Sequence, residues 1–124
     1  MIKFGYYSVN IGNRKGVVTV AINRPDKDDP EQLHIASFAI CSPKDMFRKA
    51  LGRRIAEGRL GSNKAVTVRY NGSVPEVIEK ALQEAMSKNL SLPENDRWLP
   101  AWLIRAYKRN ALKYGLRDEV AQAA

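Results

Sequence analysis

Arginine and lysine are the side chains in this sequence most able to do chemistry, and they are bunched. The chain has 21 Lys and Arg against 13 Asp and Glu, a formal net charge of +8. Between residues 42 and 72, Lys44, Arg48, Lys49, Arg53, Arg54, Arg59, Lys64 and Arg69 are set against only Asp45 and Glu57. A second group, Arg105, Lys108, Arg109 and Lys113, has the spacing of one side of a last helix. Like charges four apart, such as Lys44/Arg48 and Lys49/Arg53, cost a few tenths of a kcal/mol each on a helix. A sequence shaped by helix stability alone would place Glu among them. The planar guanidinium pairs phosphate through two parallel N–H donors and stacks on bases, which an ammonium cannot do. These cations are therefore the candidate contacts to an anionic partner, with nucleic acid first. Tyr6, Tyr7, Trp98 and Trp102 are candidate base-stacking or interface aromatics, a homodimer interface included. The plainer role for the two tryptophans is to anchor the C-terminal helix to a sheet.

Catalytic chemistry is thinly represented. The chain has one histidine and one cysteine. His34 and Cys41 lie seven positions apart, an odd spacing, so an ideal strand puts them on opposite faces. Asp26, Asp28, Asp29 and Glu31 form an acidic loop without EF-hand spacing or its central glycine. There is no Walker loop, dinucleotide-binding glycine motif, zinc-ligand spacing or nucleophile elbow. The expectation is a protein that is not an enzyme and uses no metal or cofactor. Helix-turn-helix, zinc-finger and RRM aromatic patterns are also missing, so sequence-specific readout is not indicated.

The elements that must position these residues can be read from periodicity. The length of 124 residues and a hydrophobic fraction of 44% suit one folded domain spanning residues 1–124, with residues 116–124 as a frayed or disordered tail. Ile2–Ile11 and Val17–Ile22 read as strands joined by a glycine-rich turn, and Leu33–Cys41 as a third, central strand. Ser42-Pro43-Lys44-Asp45 carries helix-start chemistry, which predicts a helix over 43–57 burying Phe47, Leu51 and Ile55. Lys64–Tyr70 is a fourth strand. Ser73-Val74-Pro75-Glu76 is a capping box, opening a helix whose apolar stripe is Val74, Val77, Ile78, Ala81, Leu82, Ala85 and Met86. A last helix is expected from Leu99 or Pro100 to Tyr114, stopped by Gly115. The order β-β-β-α-β-α-α predicts an α+β fold, a small and mainly antiparallel sheet with its helices on one face.

From these features the leading expectation is a non-catalytic nucleic-acid-binding protein that contacts phosphates of DNA or RNA through an arginine- and lysine-rich helical face. One alternative is an inhibitor or adaptor of the phage or mobile-element type, anti-CRISPR-like, which binds a nucleic-acid-processing or defence protein complex. Another is a binder of a small anionic nucleotide, for which Arg and Tyr or Trp would have to converge on a pocket. The single cysteine suits a reducing compartment, and no apolar run is long enough for a membrane span, so a cytoplasmic protein is expected.

Overall fold

The computed structural model describes residues 1–115; the expected frayed tail lies outside the described residues. The fold is α+β, with a five-stranded antiparallel sheet in the order β4-β3-β2-β1-β5. β1 (Ile2–Ile11) and β2 (Arg14–Asn23) form a long hairpin. Its turn is tighter than expected: Ile11 pairs with Arg14, leaving only Gly12 and Asn13 between. Gly12 has φ +64, the conformation that a two-residue hairpin turn led by glycine requires. β3 (Leu33–Cys41) pairs with β2, and the short β4 (Val66–Arg69) closes that side.

The two central strands explain the layering. Along β2, Val18, Val20 and Ile22 point one way, and Thr19 and Ala21 the other. Along β3, Ala36 and Phe38 alternate with Ser37 and Ala39. All nine are buried. A central strand buried on both sides needs a covering layer on each. The larger side chains meet α2 (Val74–Ser91) and α3 (Ala101–Lys108), whose Ile78, Ala81, Leu82, Met86 and Leu103 complete the main core. The small side chains meet α1 (Lys49–Gly58), in a second core of Ala21, Ala39 and Ala56 flanked by Ile2, Phe4 and Leu60. The expectation that helices share one face holds for α2 and α3. α1 takes the opposite face, because the small residues there leave room for a helix backbone.

α2 follows its sequence signals closely. Ser73 Oγ accepts from the Glu76 amide, and the Glu76 carboxylate accepts from the Ser73 amide at 3.0 Å. α3 is shorter than expected. It ends at Lys108, where Asn110 adopts φ +56. The Ala111 amide then donates to the Ala106 carbonyl and the Asn110 amide to that of Tyr107. This pair of bonds is a Schellman stop with asparagine in the left-handed position. The chain turns back, and Lys113–Tyr114 becomes β5, pairing with Tyr7 and Ser8. Lys113 thus belongs to an edge strand and not to the helical row with Arg105, Lys108 and Arg109.

The approach to α3 is held by Asn89, fully buried in α2. Its Oδ1 accepts from the amides of Trp98 (2.9 Å) and Leu99 (3.0 Å), and its Nδ2 donates to the Ala85 carbonyl. Trp98 rests on Phe38, ring centroids 6.0 Å apart, and Trp102 lies over Gly16, where an added Cβ would come within 2.5 Å of the indole. Both tryptophans are anchors, as the plainer reading has it.

Tyr7 packs in the main core, edge-on to Tyr114 at 5.3 Å. Burial foremost, then the negative potential of Glu79 and the neighbouring Tyr114 and Tyr107, pushes its phenol up to about 12. The folded state therefore holds this proton more tightly than the unfolded chain does. The resulting stability is present below pH 10 and lost between about pH 10 and 12. Chemical denaturation across that range should show an alkaline fall in unfolding free energy that is smaller in Tyr7→Phe. An identical fall in the variant would mean that another group carries it.

Candidate functional site

The basic segment is built around the seat of α1. The sheet-facing side of the helix is not Phe47, Leu51 and Ile55, as the spacing predicts, but Gly52 and Ala56, with exposed Lys49 and Arg53 at its edge beside the rings of β1. Gly52 sits so close that an added Cβ would come within 2.6 Å of Thr19 Oγ1. Ala56 is fully buried, and its carbonyl accepts a 2.5 Å hydrogen bond from Ser37 Oγ, itself fully buried. Leu51 and Ile55 are pushed to one flank, where they stay 45% and 37% exposed, and Met46 before them is 84% exposed.

The helix also begins later than its start signal. Ser42 Oγ accepts from the Lys44 amide, and the Asp45 amide donates to the Ser42 carbonyl, so the segment closes a turn. Phe47 then packs edge-on to Tyr6 at 6.2 Å, and the helix starts only at Lys49. Lys44 and Arg48 therefore precede the helix. Cys41, expected just before a helix N-terminus, lies instead against this turn, with Sγ 3.7 Å from the carbonyls of Ser42 and Asp45. Burial, with Asp45 nearby, pushes its thiol above the ordinary range, opposite to what an activated nucleophile requires. His34 pairs across to Val68 and Cys41 to Val17, at the two ends of β3. Among the described residues no three His, Cys, Asp or Glu side chains gather as a metal-binding group.

The expected cations separate into three groups. The first makes contacts within the fold. Arg53 Nε donates to Tyr6 Oη at 2.5 Å, and its guanidinium stands over the rings of Phe4 (5.2 Å) and Tyr6 (5.8 Å). Lys49 Nζ lies 5.3 Å from the Tyr6 ring centre. Such contacts contribute about 0.5–1 kcal/mol each at exposed sites. Arg59 Nη1 donates to the Phe38 carbonyl at 2.8 Å. Arg69 bridges Asp29 and Glu31 of the acidic loop. Tyr6, expected as a stacking candidate, is thus buried beneath Lys49 and Arg53, and Tyr7 is buried on the other side of the sheet.

The second group remains in solvent beside α1: Lys44, Arg48 and Arg54 are exposed. Lys49 also stays exposed despite its ring contact. Among the described residues none of these four makes an ion pair. The third group, Arg105, Lys108 and Arg109, is exposed on α3, across the sheet from α1. Lys113 is exposed on β5, and Lys64 in the loop before β4. The two basic helices therefore do not form one surface.

Beside α1 lies a cleft of about 260 Å³ between the helix and β2–β3. Ala39, Ile40, Leu51 and Ile55 form its apolar walls, Arg48, Arg59 and the Asp45 carboxylate its polar rim, and Thr19 lies at its base beneath Gly52. Thr19 is fully buried and its Oγ1 has no hydrogen-bond partner. Periodicity could not find this cleft, since it depends on which side of α1 meets the sheet. The small-residue row Thr19, Ala21, Ser37, Ala39 is the signal that could have found it. No protein-family model, no curated protein and no solved structure matches this chain.

The seat of α1 gives a paired prediction. Gly52→Ala should destabilise the fold by about 1–3 kcal/mol, since the new methyl meets Thr19. Gly58→Ala has nothing within 4 Å of the added carbon and should stabilise by up to about 1 kcal/mol through helix propensity. Urea unfolding of the two variants checks both signs.

The acidic loop gives a second. The Glu31 amide foremost, then the Leu33 amide and the Arg69 and Arg24 guanidinium groups, hold the Asp29 carboxyl below its usual range against the opposing effect of burial. That stability is present above the unfolded carboxylate pKa and is lost as pH falls through the lower folded one. Asp29→Asn should lower the unfolding midpoint at pH 7 and flatten its decline below about pH 4. An unchanged acid profile would show that Asp29 is not the carboxylate responsible.

Proposed function

We propose that this protein is a non-catalytic nucleic-acid-binding protein that holds phosphates on the solvent side of α1 and the turn before it. The observation that carries this reading is the exposed set Lys44, Arg48, Lys49 and Arg54, without ion pairs among the described residues and on one side of the sheet. Unpaired like charges held together in a folded protein repel one another and are relieved by a polyanion, whose counterions are released on binding. Arg53, fixed over Phe4 and Tyr6 with Nε already bonded, keeps its terminal nitrogens for a phosphate oxygen at little further ordering cost.

A second reading, an adaptor or inhibitor that docks α1 on an acidic protein surface, is favoured by the exposed Met46, Leu51 and Ile55 beside the arginines. Met and Arg are enriched at protein interfaces.

Fluorescence anisotropy with short DNA and RNA across a salt series separates these readings. Lys44→Ala/Arg48→Ala/Arg54→Ala should weaken binding and flatten the log–log salt slope by roughly two to three, about one for each phosphate no longer neutralised. Arg105→Ala/Lys108→Ala/Arg109→Ala removes the same charge from the opposite face and should leave the slope nearly intact. Equal effects of the two variants would overturn the assignment to α1, and no binding by the wild type at physiological salt would overturn the function.

A further inference from the structure

We infer that the cleft between α1 and β2–β3 receives one unstacked base of a single strand, so that this protein prefers single-stranded nucleic acid to duplex. The inference rests on the proposed function and adds the form of the ligand. The cleft opens beside Arg48, one of the unpaired cations, so a phosphate held there places its own base or a neighbouring one at the mouth. Its volume is about 260 Å³, roughly that of nine water molecules at ~30 Å³ each, which gives room for one heterocycle.

The lining matches a base in both of its properties. Leu51 and Ile55, with Ala39 and Ile40 opposite, offer apolar walls to the faces of a ring. Leu51 and Ile55 are left 45% and 37% exposed, apolar surface that an inserted ring would remove from water. The polar groups suit a base edge. Arg59 uses Nη1 on the Phe38 carbonyl, and a guanidinium carries five N–H donors. Its other donors can meet a ring nitrogen or exocyclic oxygen. An aliphatic side chain from a protein partner would fill the walls and leave the Arg59 donors unmet. A heterocycle with an apolar face and a polar edge meets the walls and those donors together. Paired bases cannot enter, because their edges are engaged and their faces stacked.

The test compares single-stranded and duplex oligonucleotides of equal length, as DNA and as RNA, with an abasic strand carrying the same phosphates. Wild type should bind the intact single strand about tenfold more tightly than the abasic one, the scale of one buried base. Leu51→Gln/Ile55→Gln leaves the charge unchanged and alters half-exposed positions, so folding is expected and is checked by circular dichroism. It should lose that tenfold preference and keep its duplex affinity. A strand bearing a fluorescent adenine analogue that brightens on unstacking should brighten with the wild type and stay dim with the double variant. Equal affinity for intact and abasic strands, or a preference that survives the double variant, would overturn the cleft inference while leaving the phosphate-binding reading standing. Failure of the wild type to bind any oligonucleotide would overturn both.

Discussion

The contact between α1 and the sheet, where Gly52 rests on Thr19 and the Ala56 carbonyl accepts from buried Ser37, is the constraint on which the rest of the basic face depends. A helix seated this closely has no room for large side chains beneath it. Leu51 and Ile55 must therefore move to the flank, and a cleft opens along that edge. The same close seat carries Arg53 across to Phe4 and Tyr6, and Arg59 back to the Phe38 carbonyl. Arg54 is left pointing outward. One steric relation thus decides which of these cations are held against the sheet and which stand in solvent.

The two layers of the molecule are held differently. The α2–α3 side is a conventional apolar core, with large side chains on both the strands and the helices. The α1 side has little apolar bulk, and short polar contacts with arginine–ring stacking take over its role. Hydrogen bonds contribute about 1 kcal/mol each, net of what water would supply.

Much of the fold was legible because local chemistry and tertiary packing agree there. The capping box at Ser73, the stripe from Val77 to Met86 and the double-sided apolar run of β3 all point the same way as the final structure. Two local signals misled. The Ser42–Asp45 start signal closes a turn, since Phe47 must reach Tyr6 before the helix can begin. Gly115 is not the stop of α3, because Asn110 takes the left-handed position first and frees Lys113 and Tyr114 to pair with β1. Asn89 gave no signal at all. Its value lies in two amides nine and ten residues away.

Composition and local pattern by themselves determined the α+β class, the order of most elements and the concentration of positive charge between residues 42 and 72. Only the tertiary structure decided how that charge is used. Charge is a property of residues, whereas availability depends on what each residue meets across the sheet. Arg69 meets Asp29 and Glu31, Arg53 meets Tyr6, and the α3 cations stand on the other face. The cleft is likewise tertiary. A helical repeat shows that one side of α1 is apolar, but the small row Thr19, Ala21, Ser37 and Ala39 decides which side the sheet can accept, because it admits a glycine and an alanine where it would exclude a leucine.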